Sequence, residues 1–389
     1  MNTIKAYLLL IICTVTLMSC SSDDDTTIVS TPLNKSGVIE NYANLVYKNY
    51  QDAQTDAQSL KIAVDAFITT PTDANFTTAK STWKIARESY GTTEAFRFAN
   101  GPIDIDDNAP EGLLNSWPLD ENYIDYVDGA TNSGIINDPT SHPIISKSVL
   151  EGLNTLNGND ANVSVGYHAI EFLLWGQDLT APSAMQAGQR PYTDFVDGGT
   201  AANQGRRRDY LAACAELLID HLQLMLDEWK PSGNYRTTFL AENPDTALKN
   251  ILGAIATLSK SELAGERMFV AYTNQNQEDE HSCFSDNTHR DIRVNLAGIA
   301  NVYRGSYSTI SGVSLEDIIT STNPALGAQI TAALALAETS VEATATPFDY
   351  AITDAGQRPL VATAVTSLQT LGDKFVEGGV ALGINVTIQ

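Results

Sequence analysis

Residues 166–178 read GYHAIEFLLWGQD. From Val163 to Gln177 the chain is apolar or small almost throughout, and only His168 and Glu171 can carry a charge near neutral pH. A helix that is apolar around most of its circumference is buried. A carboxylate and an imidazole on such a helix each need a partner, because an uncompensated buried charge is strongly unfavourable. Their spacing of three residues puts both on one helix face. There they can hold a cation together, as helical bundles hold iron or manganese with the reverse order, Glu-x-x-His. A structural hydrogen bond between the two is the plainer alternative. Gly166, two residues before the histidine, leaves room for a neighbouring segment to approach closely.

The surrounding pattern is helical. From Ser36, Val38, Tyr42, Leu45, Val46, Tyr50, Ala53, Ala57, Leu60, Val64 and Phe67 recur at spacings of three and four. A second helix is expected from Thr72-Asp73, and further ones over 143–156 and 163–177. RRRDYLAACAELLIDHLQLMLDEWK reads as a helix stopped by Pro231. Another begins near Asn243-Pro244 and runs past Arg267, and two alanine-rich periodic stretches fill the last third. Residues 99–142 are rich in Gly, Pro, Asp and Asn and read as a long irregular excursion. Convincing alternating strands are hard to find. The expected fold is all-α, with two helical-bundle domains packed side by side and long irregular loops. An N-terminal domain over 36–204 would carry the Gly-x-His-x-x-Glu pattern, and a C-terminal bundle would span 205–389.

Composition narrows the function. Hydrophobic residues make up 43% and charged residues 18%, as in globular proteins. The formal net charge of −24 repels polyanions and argues against nucleic acid as a partner. Met1–Lys5 and the apolar AYLLLIICTVTLM read as an export signal over 1–19, too short and too terminal for a spanning helix. Leu17-Met18-Ser19-Cys20 resembles a lipobox, which makes Cys20 the lipidation site. SSDDDTT, within a polar tether over 20–35, is similar to the acidic tethers of lipoproteins on the outer face of the outer membrane. The expectation is therefore a lipid-anchored outer-membrane protein exposed at the cell surface, with a periplasmic orientation as the alternative, and a monomer. Of the remaining cysteines, Cys214 lies in an apolar helical stretch and reads as core, so no bridge to Cys283 is expected.

A second concentration of polar residues, EDEHSCFSDNTHRD, spans 278–291 and holds two of the five histidines. Glu278 and His281 are three apart, as are Asp286 and His289. The acidic run at 278–280 reads as a solvated face. Ser282-Cys283-Phe284 instead suggests a segment that dips into the protein. Upstream, GERM at 265–268 sets Arg267 in an apolar helix end, where it could neutralise an anion, orient a carboxylate or pair with an acidic neighbour.

Together GYHAIEFLLWG, GERM and QEDEHSCFSDNTHRDI resemble the imelysin family of bacterial envelope proteins, and WPLDENYIDYV (117–127) and PYTDF (191–195) are similar to it as well. The resemblance runs from about Ser36 to the C-terminus. It implies a two-domain helical fold, a site near the domain interface, a link to iron uptake and, from the family's name, a metallopeptidase. The expected metal residues are His168, Glu171, Glu280, His281 and Asp286, supported by Gly166, Arg267, Ser285 and His289. The expected cofactor is a metal ion, with iron favoured and zinc the alternative, and the expected partner is iron-transport machinery. A zinc peptidase needs three protein ligands, an open position for water and a general base. No His-Glu-x-x-His element supplies these, and nothing else points to a water-activating group. Metal binding asks only for histidine and carboxylates on facing helices, and it ranks first. A non-catalytic surface or scaffold protein ranks third.

Overall fold

The computed structural model describes residues 34–106 and 109–389; the export signal, Cys20 and the tether up to residue 33 lie outside the described residues. Among the described residues regular structure is almost wholly helical, and the strands are a short hairpin of two residues each, Ser306–Tyr307 with Ile310–Ser311. The all-α expectation holds. Among the described residues, no helix is long and apolar enough to cross a membrane.

Helix α1 (Lys35–Thr69) starts at Asn34, whose side chain accepts a hydrogen bond from the Gly37 amide at 2.9 Å. That satisfies one of the free N–H groups that every helix start presents. Its stripe from Val38 to Phe67 is buried as the spacing predicts. A short connection leads into α2 (Asp73–Thr93), capped by Thr72, and the two form a hairpin. Helix α3 (Gly166–Trp175) carries His168 and Glu171 and is buried along its whole length. Next come α4 (Gln204–Trp229), which ends just before Pro231, and α5 (Pro244–Thr257). α6 (Thr288–Arg304), α7 (Pro324–Glu342) and α8 (Arg358–Ala381) complete the frame. Residues Asn34–Gln389 form one compact unit, in which α4 lies along α1 and α6 along α2.

Two elements depart from the sequence pattern. The helix expected over 143–156 is confined to Lys147–Leu153. It ends where Asn154 turns extended and its side chain bridges two segments: Nδ2 donates to the Gly112 carbonyl at 2.8 Å and Oδ1 accepts from Ser164 N at 3.0 Å. The helix starting at Pro244 does not stay α-helical. It continues as a π-helix over Leu258–Phe269 before a last α-helical turn over Val270–Asn274. π-helical turns concentrate at functional sites, and this one contains Arg267.

The excursion over 99–142 includes three single helical turns, Glu111–Leu114, Glu121–Ile124 and Gly134–Asn137. Asp125 anchors it to the helices. Fully buried, Asp125 meets Arg207 of α4 in a fork, Nε to Oδ2 at 2.7 Å and Nη2 to Oδ1 at 2.8 Å. It also pairs with Arg190 and accepts from Asn137 at 3.0 Å. Burial works against the carboxylate, but the two guanidiniums outweigh it and hold its pKa down at about 2. Removing one partner of a buried ion cluster leaves an unpaired charge. Asp125→Ala should therefore destabilise the protein by about 3–5 kcal/mol in chemical denaturation. Because the Asp125 pKa is depressed, its contribution is present above the usual carboxylate range and lost as pH falls toward about 2.

Candidate metal centre

α3 begins where Val165 is extended and Gly166 adopts φ +90°. A Cβ on Gly166 would sit 2.7 Å from the Leu114 carbonyl oxygen, so only glycine lets the 111–117 segment pass beside the helix start. That passage sets Trp117 against the site, its ring 5.0 Å from His168 and 6.3 Å from His281, centre to centre.

His168 and Glu171 do meet on one face: Nδ1 lies 2.9 Å from Glu171 Oε2. The other oxygen, Oε1, accepts from the Ser285 amide at 2.9 Å and from its hydroxyl at 2.7 Å. His281, from the same loop as Ser285, brings its ring to 4.6 Å from that of His168, nearly edge-on. Its Nδ1 is 3.3 Å from Asp291 Oδ2, and Ser282 Oγ donates to the same oxygen. Arg87 of α2 holds Asp291 from the other side, Nε to Oδ1 at 3.2 Å. The two imidazoles thus have matching arrangements, each with Nδ1 against a carboxylate that a loop serine also holds. Among the described residues, His168 Nε2 is left buried and without a partner. Buried polar atoms are rarely orphaned, and one that is calls for an explanation such as an absent ion.

Behind this pair the polar interior continues. Arg87 also donates to Asn115, and Asn115 donates to Glu94 at 3.3 Å. Arg267 spans Glu94, Asn295 and Glu262, its Nε 3.1 Å from the last. Glu262 and Arg267 are five residues apart, the spacing that π-helical winding brings to one face. Beside them lies a cavity of about 480 Å³ whose lining includes Arg97, Trp117, Glu262, Glu266, Arg267 and His281.

The electrostatics divide the carboxylates. Burial opposes the charge on Asp291, but Arg87, His281 and Ser282 overcome it and keep the group ionised far below the usual range. Burial pushes Glu171 up to about 8 despite the Ser285 hydrogen bonds, with Asp291 adding repulsion. Burial also holds His168 well below its ordinary value, reinforced by His281 and Arg87. His281 falls to about 4 through burial and the Arg267 charge, against the pull of Asp291. Two histidines and two carboxylates whose pKa values are driven apart by their surroundings mark a functional-site candidate.

Comparison with known proteins now bears on the chain. The sequence profile of the imelysin family matches residues 46–375. The chain belongs to the imelysin family. Iron-regulated protein A of Synechococcus elongatus is 23% identical over 340 residues, covering 85% of this chain and 81% of that protein. The crystal structure of an iron-regulated protein A precursor from Parabacteroides distasonis superposes with a TM-score of 0.67 at 19% identity. It covers 90% of this chain and 97% of that one, which shows a shared fold.

In this imelysin His168, Glu171, His281 and Ser285 come together, and Arg267 stands behind them on the cavity wall. Glu280 and Asp286 do not bond to the histidine pair; both face another group of carboxylates. His289 is half-buried with Nδ1 at 3.0 Å from the Asp286 carbonyl oxygen. Among the described residues, Cys214 and Cys283 are both buried and form no disulfide. Sequence reasoning missed Asp291, Arg87 and Ser282. Asp291 closes the polar block over 278–291 and so lay in view; Arg87 carried no such signal.

Folding raises the Glu171 pKa, so the stability associated with its proton is present below the ordinary glutamate value and lost as pH rises through about 8. Melting temperatures of the metal-free protein and of Glu171→Gln should therefore diverge across that window, with the parent falling relative to the variant. A constant difference would mean that Glu171 is ionised throughout.

Proposed function

We propose that this imelysin is an envelope lipoprotein that binds a metal ion, iron before zinc, between His168 and His281 as part of iron acquisition. The observation that carries the reading is the orphaned His168 Nε2, buried opposite a second imidazole while both Nδ1 atoms are engaged by carboxylates. Metal-binding histidines characteristically give their other ring nitrogen to a carboxylate, which fixes the tautomer and strengthens the ligand. In that arrangement Glu171 and Asp291 orient the two rings; His168 Nε2 is the orphaned donor, and His281 Nε2 is the ring nitrogen that Asp291 does not engage. Imidazole with nearby carboxylates suits iron or zinc. The name of the cyanobacterial relative, iron-regulated protein A, favours iron. The residues fit such an ion because neutral imidazoles are the ligand form, and both histidines are kept neutral here.

The membrane attachment rests on Leu17–Cys20 and the acidic tether behind it. Cys20→Ser should shift the protein from the membrane to the soluble fraction on cell fractionation; unchanged membrane association would remove the lipoprotein reading.

The metal reading is tested on the full-length protein in mild detergent, loaded anaerobically with iron(II) and then with zinc, desalted and analysed for metal. About one retained equivalent is expected in the parent, with at least a tenfold loss of affinity in His168→Ala and in His281→Ala. No retained metal in the parent would end the proposal. Cleavage of a peptide by the loaded protein, abolished by a chelator, would move the assignment to a zinc peptidase.

A further inference from the structure

Glu280 and Asp286 were expected beside His168, and their actual neighbours define a separate place in the fold. Asp178 follows the end of α3, Asp286 lies in the loop before α6, and Asp349 sits in the short helix Phe348–Thr353. Each offers a carboxylate oxygen, and these oxygens all lie within 4.8 Å of one another. Asp178 is 4% exposed and Asp349 2%; Asp286 is half-buried. Carboxylates gathered this closely away from water repel one another unless something positive or a proton intervenes.

Among the described residues, two orphaned buried carboxylate oxygens belong to this group. Asp178 Oδ1 is satisfied by the Thr180 amide at 3.0 Å and its hydroxyl at 2.8 Å, while Oδ2 is buried with no partner. Glu280, 1% exposed, also has a buried oxygen, Oε1, without a partner, and its carboxylate feels Asp349, Asp286 and Asp178 together. The basic group acting on Asp286 is Lys84, whose ammonium is committed to the Ser285 carbonyl oxygen at 2.9 Å. The backbone holding the acids is itself fixed. Gln277 donates to the carbonyls of Asp178 and Thr180 at 2.8 and 3.2 Å, and the Tyr350 amide donates to Asp349 Oδ1 at 2.6 Å.

We propose that Asp178, Asp286 and Asp349 form a second cation site, separate from the histidine pair, that takes a hard divalent ion of calcium size. The donor chemistry is oxygen alone, which selects hard cations over the softer metals that imidazole attracts. Three oxygens within 4.8 Å of one another share a point no more than about 2.8 Å from each, close to the calcium–oxygen distance of roughly 2.3–2.6 Å. Burial, with mutual repulsion, pushes Asp286 up to about 7 and Asp349 up to about 6, as in a group of acids that an ion would relieve. The ion would fasten three segments distant in sequence: the exit of the histidine-bearing helix, the loop that carries His281 and Ser285, and the C-terminal third.

The test is calcium binding by the full-length protein in mild detergent, stripped with chelating resin and titrated with calcium chloride in equilibrium dialysis. The expected result is about one equivalent bound by the parent and by His168→Ala alike. Asp349→Asn and Asp286→Asn should each bind at least tenfold more weakly. A melting point raised by roughly 3–5 °C at a hundredfold excess of calcium over its Kd should accompany binding in the parent and be lost in both variants. Asp286→Asn changes a half-buried residue, so it remains informative if Asp349→Asn folds poorly. Absence of calcium binding in the parent, or binding in both aspartate variants as tight as in the parent, would overturn the site. Loss of calcium binding in His168→Ala would overturn its separateness, whereas failure of iron retention alone would leave it standing.

Discussion

The polar interior of this protein depends on keeping Asp291 ionised with almost no water around it. Arg87 supplies the compensating charge from α2, Ser282 a hydroxyl and His281 a ring nitrogen from the preceding loop. Because these partners come from different elements, satisfying one carboxylate fixes the relative positions of α2, α6 and the loop. His281 is thereby presented edge-on to His168, and Trp117 closes the space beside both rings. Burying such a pair need not stabilise the fold, since desolvation offsets much of the attraction. Its effect is positional: the alternatives leave a charge unpaired, and a cluster of that kind tolerates few geometries.

Much of the frame could be read from the chain because it rests on local regularities. The three-and-four spacing of α1, the Thr72 cap and the Pro231 stop each act within a few residues, and the structure follows them. His168 and Glu171 were legible for the same reason, as polar groups stranded on an apolar helix. What could not be read were the pairings across the fold. Arg87 and Asp291 are more than 200 residues apart, and nothing in RESY (87–90) or THRDI (288–292) says that they meet. Asp178 and Asp349 look like ordinary loop and helix-start acids, and only the tertiary fold brings them to Asp286. The shortening of the 143–156 helix followed from Asn154 bonding across to Gly112 and Ser164, again a contact without a local signature.

The loop between Glu280 and Asn287 serves two faces at once. Ser285 turns its amide and hydroxyl to Glu171, while the next residue sends its carboxylate the other way. Asp286 occupies the left-handed region at φ 54°, which permits this reversal between neighbours. Backbone held in so sparsely populated a region is usually fixed by its surroundings at functional sites. Lys84, clamped to the Ser285 carbonyl, is one of those surroundings.

The π-helix over Leu258–Phe269 has a consequence for how the chain can vary. Adding or removing a residue rotates everything downstream on a helix by about 100°. Arg267 reaches Glu94, Asn295 and Glu262 together only with the wide winding that lies before it. Tightening the stretch to regular α-helix at its present length would carry Arg267 about 140° around the axis from Glu262, because five α-helical residues turn through about 500°. The wide winding and the number of residues it spans are therefore matched to one another, and a change in either needs a compensating change in the other.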